Sequence, residues 1–511
     1  MLILPLEPTD DDADPAFKNA SSCKKWLKQL QLTNLSAAHA TLRTQIDEFN
    51  RYPLRGVERM ETLELLRDIV HQLQTEYAKK LVGKPLPLSE IELLMLTSMT
   101  GLWQAMATGY QRCLLAYEEG ERQLKNYGAL LCHRSLMYSG RQIFDFLRTG
   151  YELNGEQWRQ LHAVYLFAEE QDLLSGEVED DFGEHGHATT CRYIYLETLL
   201  ICHARPQELT RHQQELLEQW ISLWFATFSI ELTCTVSRGD APPLAIDLAG
   251  TQGLQALRPE FLESGNMRYL PMVPISKLLR VKTILLQQGN TPKQLDLGDE
   301  NDNVDCIALL SHLHINWCEP RAQRMAERQG STQEVQLRYG LEDIYSWVGN
   351  QPFDHTKKSA NIPQENWRTE DISILGARLL RTTTTGVRLG LNQIIVVRAA
   401  DTYRVGKIVW ISVLPTGQLH MGIRFQPGIP QAVIVRGAVK PGEPPNKPAP
   451  AILLSAVPSL SIPPSLLLPR NLFQPDRTVE VTMTNNTKQR IKLKYSVEKG
   501  GDFERVSFLP E

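Results

Sequence analysis

A chain of 511 residues has the length for several domains, and 42% apolar with 22% charged residues is the balance of a globular protein, which excludes a disordered or fibrous one. A formal net charge of -5 argues against a general nucleic-acid binder. The eight cysteines (Cys23, Cys113, Cys132, Cys191, Cys202, Cys234, Cys306 and Cys318) contain no C-x-x-C pair and read as reduced, mostly buried thiols, not a disulfide framework.

The opening MLILPLEPTDDDADP has a very short apolar run followed by acid, unlike a signal peptide. Residues 1–20 read as an acidic disordered tail. From 21 to 150 the apolar spacing is helical. LSAAHATLRTQIDEFN places Leu35, Ala38, Leu42, Ile46 and Phe49 at steps of three and four, and RMETLELLRDIVHQLQTEY does the same with Met60, Leu63, Leu66, Ile69, Val70 and Leu73. A second helical block, 151–305, contains GEQWRQLHAVYLFAEEQDLL, TTCRYIYLETLLICHARP ended by Pro206, and LTRHQQELLEQWISLWFATF. Within it IELTCTV and PLAIDLA predict a short β-hairpin, and PISKLLRVKTILLQQG predicts a helix ending at Gly289. No stretch reads as a membrane helix: Trp220–Leu232 is too short, and prolines break Pro448–Pro469.

From about Cys318 the texture is β. EVQLRYG, ISILGARLL, NQIIVVRA, RVGKIVWISV and LHMGIRFQ are short apolar or alternating segments divided by glycines and polar turns, the pattern of a small antiparallel barrel over 318–428. Proline-rich 429–465, with PGEPPNKPAP inside it, reads as a stiff linker. RTVEVTMTNNTKQRIKLKYSVEKG then predicts a hairpin turning near Asn485 and Asn486, within a β appendage over 466–511. The fold class expected is multidomain α + β, an all-helical N-terminal bundle or array followed by that barrel and appendage.

Two motifs carry chemistry. RAQRMAERQG places Arg324 and Arg328 four apart, with Arg321 one turn earlier, just before the first barrel strand. DISILG places Asp371, Ser373 and Gly376 as Asp-x-Ser-x-x-Gly. Each alone has a plain reading: a solvated basic patch, and a turn made by small polar residues. Together, in this order on a small barrel closed by HMGIRF, they resemble the PilZ domains, bacterial receptors for cyclic di-GMP. The resemblance runs from about Cys318 to Pro427, with Gly390 and Gly422–Phe425 matching the course of that barrel.

What the resemblance implies is a cytosolic bacterial receptor without catalytic activity, cofactor or metal, with cyclic di-GMP bound by Arg324, Arg328, Asp371, Ser373 and Gly376, and Arg321 as a further contact. It also implies a switch in which ligand draws the arginine arm onto the barrel, so that the helical region acts on an unidentified protein partner in motility or biofilm regulation. Nucleic acid and membrane insertion have no part in it. The chemistry suits these residues. Guanidinium forks pair with phosphate oxygens or with guanine O6 and N7, and a carboxylate accepts from guanine N1–H and N2–H. Ser373 bonds a phosphate or base edge in either sense, and Gly376 admits close approach or a positive φ.

Rival readings are a PilZ-like barrel without nucleotide binding, serving as an interaction scaffold, and a metal site at Glu184, His185, His187 and Cys191. The latter set lacks a second cluster at a known spacing, so a polar loop is the plainer account. Cys132-His133 and Cys202-His203 read as core cysteines beside helix-surface histidines. RTTTTG (Arg381–Gly386) suits a strand edge or hairpin, and the polar stretch 346–367 is longer than a compact barrel needs. No Gly-x-x-x-x-Gly-Lys loop, Gly-x-Ser-x-Gly elbow, GGDEF-type or EAL-type motif occurs.

Overall fold

The computed structural model describes residues 2–180, 188–235, 241–258, 261, 265–299, 301–319, 329–330, 332–353, 365, 367–399, 402–437 and 447–511. The chain divides into two compact units, Met1–Gly83 with Ser89–Gln323, and Lys84–Leu88 with Arg324–Glu511.

The first unit is built from helices α1 Ala20–Leu27, α2 Leu35–Arg51, α3 Gly56–Leu81, α4 Glu90–Glu118, α5 Gly128–Arg148, α6 Glu156–Glu170, α7 Cys191–His203, α8 Arg211–Leu223, α9 Val273–Gln287 and α10 Asn303–Cys318. Short polar residues start them where the sequence offers one. Asn34, Thr190 and Asp302 each accept a first-turn N–H, while Ser89 with Glu92 and Thr210 with Gln213 form reciprocal capping boxes. The periodic apolar residues fill one core, among them Leu42, Ile46, Leu63, Leu66, Val70, Leu73, Leu161 and Val164. Packing follows chain order: α4 lies against α2, α3 and α5, and α7 against α5, α6, α8 and α10. No described helix is long and apolar enough to cross a membrane.

Three expectations change in this unit. Residues 2–19 are not a loose tail. Leu2, Ala13 and Phe17 are buried, Asp10 is paired with Arg51, and the Leu2 N–H donates to Glu118. Apolar anchors and one ion pair outweigh the acidity. IELTCTV forms no strand among its described residues, only an isolated bridge from Glu231 to Tyr269. The expected hairpin is a small sheet, β1 Leu244–Asp247 between β2 Gln255–Ala256 and β3 Met267–Leu270. His133 is buried, not on a helix surface. Its Nε2 meets Thr189 Oγ1 at 2.7 Å, and burial, with Arg134 beside it, pulls its pKa well below the usual value.

The second unit holds two barrels. Its strands are β4 Gln329–Gly330, β5 Glu334–Tyr339, β6 Trp367–Ile372, β7 Gly376–Arg381, β8 Ile394–Ala399, β9 Thr402–Val413, β10 Leu419–Phe425, β11 Pro430–Gly437, β12 Ala449–Leu454, β13 Ser465–Pro469, β14 Thr478–Met483, β15 Lys488–Lys499 and β16 Phe503–Pro510, with helix α11 Leu341–Val348 after β5. In the first barrel the order β6-β5-β8-β9-β10-β7 closes by β6 pairing with β7, and β4 adds beside β6. Inward rows such as Trp367–Arg381–Leu419–Val413 and Thr369–Leu379–Met421–Ile411 are buried. Leu86, from the segment between α3 and α4, exchanges backbone hydrogen bonds with Leu389 at 2.8 and 2.7 Å.

The proline-rich stretch is not a linker throughout. Over 429–465 the chain forms β11 and β12, although 438–446, which includes most of PGEPPNKPAP, lies outside the described residues. The expected hairpin exists as β14 and β15, but inside a second closed barrel, β11-β12-β13-β16-β15-β14. That barrel is filled by Val433, Val435, Leu466, Leu468, Val479, Val481, Ile491 and Val506. Helix α11 precedes the expected insertion and overlaps only its first residues, 346–348. Its Leu341, Ile344 and Tyr345 pack with Ile394 and Val396 of the first barrel and Ile452 and Phe503 of the second.

Candidate functional site

The stretch DISILGARLL is a hairpin. Asp371 and Ile372 end β6, Ser373 to Leu375 turn, and β7 starts at Gly376. The Ser373 N–H donates to the Gly376 carbonyl at 2.8 Å, and the Ser373 hydroxyl donates to the same oxygen at 3.2 Å. Ala377 and Leu379 point into the barrel, whereas Ile374 (81% exposed) and Leu375 (46%) project from the turn.

Asp371 owes its direction to a bulge. In β6, Thr369 faces inward opposite Leu379, and two residues later a regular strand would again face inward. The register instead shifts between Thr369 and Asp371, with Glu370 as the extra residue, so that Asp371 opposes Arg378 on the outer wall. Its Oδ2 lies 3.4 Å from Arg378 Nε. Glu370 bonds on the same outer wall, to His420 Nε2 at 2.9 Å.

Gly376 has a job in the sheet itself. It pairs with Arg424, and a Cβ there would sit inside 3.0 Å of the Ile423 carbonyl oxygen. Its φ is not in the left-handed region, so close backbone approach, not a turn conformation, demands the glycine.

Arg321, Arg324 and Arg328 lie outside the described residues. The residues immediately C-terminal to them belong to the sheet. Strand β4 begins at Gln329, next to Arg328, and runs antiparallel to the end of β6, with Gln329 opposite Ile372 and Gly330 opposite Asp371. The chain leaving the arginine segment is therefore hydrogen-bonded alongside the Asp-x-Ser-x-x-Gly hairpin. Arg404 of β9 adds a further guanidinium, its Nη1 3.5 Å from the Ser373 carbonyl and its Cζ 5.3 Å from the centre of the Phe425 ring.

RTTTTG is organised separately. Arg381 is fully buried and paired at 3.4 Å with Glu365, which also accepts from Tyr339, Trp367 and the Val387 N–H. Burial pulls the Arg381 pKa down, opposed by Glu365. The threonines thus belong to a loop pinned by a buried ion pair, not to a strand edge. Of the metal set, Glu184, His185 and His187 lie outside the described residues; Cys191 opens α7 with its thiol 3.4 Å from the Ala129 carbonyl.

Sequence reasoning missed Arg378, Trp410 and His420, which stand with Gly422 on the same outer wall as Asp371. Trp410 meets His420 edge-on at 4.8 Å. The motif GARLLR already placed an arginine two residues beyond Gly376, but only the strand pairing brings the tryptophan near it.

Comparison with known proteins gives concordant similarities at both ends. Residues 21–235 match the family described as the N-terminal domain of the cyclic-di-GMP receptor FimW, and residues 433–510 match the FimW C-terminal β-barrel domain. The cyclic-di-GMP receptor FimW of Pseudomonas aeruginosa is 24% identical over 374 residues, 68% of this chain and 58% of the relative. The chain thus covers less than two thirds of that relative's length. The two matched segments flank the first barrel.

Proposed function

We propose that this chain is a receptor for cyclic di-GMP, and not an enzyme, whose first barrel holds the ligand between the arginine segment Arg321–Arg328 and the β6–β7 hairpin. The observation that carries the reading is the pairing of β4 with β6, which starts one residue after Arg328 and lies beside Asp371. Similarity to a cyclic-di-GMP receptor family on both sides of the barrel supports the same ligand. The assignment of the barrel to the PilZ class rests on its own motifs.

In this reading the arginines supply the charge that two phosphates require, and bidentate contact to guanine supplies selectivity. Asp371, turned outward by the β6 bulge, accepts from the base edge that no cation can satisfy. Ser373 is held against the Gly376 carbonyl and offers its oxygen to the ligand. Gly376 keeps β7 close to β10 and so acts on the site through the sheet. The arginine arm closes on the bound ligand, and an unidentified protein partner in the bacterial cytosol reads the change, in control of motility or biofilm formation.

Titration calorimetry of the purified chain with cyclic di-GMP tests this. Arg328→Ala and Asp371→Ala should each weaken binding by about 5- to 150-fold, the equivalent of about 1–3 kcal/mol for a bidentate contact. No binding heat from the parent protein up to high micromolar ligand would overturn the receptor reading and leave the barrel as an interaction scaffold. Parent-like affinity in both variants would overturn the site.

A further inference from the structure

The helical unit keeps a cavity that its own side chains do not fill. Helices α3, α4, α5 and α8 surround a space of about 280 Å³. Close-packed interiors leave few voids larger than a water molecule, and clefts between the helices of a bundle are a recurrent place for small ligands. Gln74, Trp103, Phe144 and Gln214, all buried, contribute to its wall.

The rest of the wall is charged, and the charge arrives from three helices. Lys79 comes from α3, Arg141 and Arg148 from α5, and Arg211 from α8, with His71 of α3 beside them. Three carboxylates share the lining, and each is already engaged. Glu218 holds Arg141 at 3.0 Å and Glu215 holds Arg211 at 2.9 Å. Asp145 pairs with Arg148 while it accepts from Trp103 Nε1 at 2.7 Å. Lys79 pairs with Glu76, which is not a lining residue. With His71 neutral, four cations face three carboxylates, one positive charge in excess. Arg148 is the group least well served. Its Cζ lies 4.8 Å from the centre of the Phe144 ring, and its buried Nε has no hydrogen-bond partner. A buried donor left unmade is costly, so an acceptor that reaches it is favoured.

We propose that this cavity binds a small phosphate-bearing molecule, with Arg148, Arg211 and Lys79 on the phosphate and Trp103 and Phe144 in the wall beside it. A planar carboxylate is satisfied by one guanidinium fork, whereas a tetrahedral phosphate offers oxygens in several directions and suits cations arriving from three helices. The volume lies just below the range of about 300–1,000 Å³ usual for ligand pockets, which fits a compact metabolite and not a cyclic dinucleotide. The site belongs to the first unit and does not depend on the receptor reading of the barrel.

Calorimetric titration of the full chain with inorganic phosphate, pyrophosphate and citrate at matched ionic strength tests this, with thermal melts alongside. Phosphate stabilises proteins by exclusion without binding, and anions can also meet the barrel's arginine segment, so variants of the cavity decide. Arg211→Ala removes a side chain that is 53% exposed, and Arg148→Lys keeps the charge while removing the fork. The parent should bind pyrophosphate, and each variant should bind it about tenfold or more weakly, the loss expected for a hydrogen bond to a charged group. Arg211→Ala should melt like the parent in the absence of anion. No binding heat from the parent up to low millimolar pyrophosphate would overturn the proposal, as would equal affinity in the parent and both variants. A melting temperature that phosphate raises equally in the parent and Arg211→Ala would reduce its effect to exclusion and count against the site. Tighter binding of citrate than of either phosphate would overturn the ligand class. None of these outcomes touches the titration with cyclic di-GMP.

Discussion

At the scale of single residues, the Asp-x-Ser-x-x-Gly hairpin shows how one motif combines sheet-building and recognition. Gly376 is needed by β10, whose Ile423 carbonyl leaves no room for a Cβ. Gly376→Ala should therefore lower stability by about 1–3 kcal/mol in a denaturant titration, since backbone and not a flexible side chain must give way. A parent-like midpoint would show that β7 and β10 separate without cost. The spacing of Asp371, Ser373 and Gly376 was legible in the sequence, and so was the burial of Ala377 and Leu379. The exposure of Ile374 and Leu375 was not, because a run of apolar residues does not show where a two-strand turn falls.

Strands and helices carry the next level of constraint. Thr369 and Asp371 are two apart, so strand periodicity alone puts them on one face; the bulge at Glu370 separates them and sends only Thr369 inward. Helix α7 carries a comparable case in the first unit. Glu197 there accepts from Tyr193 at 3.1 Å, near an Arg141–Glu218 pair at 3.0 Å. Burial raises its pKa from 4.5 to about 7, with Arg141 opposing the rise and Glu218 adding to it. The folded state then holds a proton that the unfolded chain releases between those values, so stability falls as pH climbs through that window and is level above it. Glu197→Gln mimics the protonated form. Its melting temperature should rise relative to the parent's between pH 5 and 7, and a gap constant from pH 5 to 8 would show that Glu197 ionises normally.

Across the second unit as a whole, α11 joins the two barrels through one core. Ile344 is fully buried among residues of β8, β9, β11 and β12. Ile344→Ala should cost about 2–5 kcal/mol and destabilise both barrels together, which hydrogen exchange read separately on β9 and β12 would show. Loss of protection in only one barrel would mean that they open independently. This coupling was hidden in the sequence for two reasons. The helix LEDIYSWV occupies barely two turns, and the prolines after β10 resemble a linker. In the fold, Pro430 is the first residue of β11 and Pro450 lies in β12.

Taken by itself, the sequence determined which segments become helices and most of the strands, because periodicities of 3.6 and 2 are local properties of the chain. It also determined the presence of two spaced motifs and, through them, the ligand class worth testing. Tertiary structure decided which residues share a surface. The alignment of Asp371, Arg378, Gly422 and Trp410 in one row depends on pairing between strands distant in the chain and on single-residue bulges, and one slip in register turns a side chain to the opposite face.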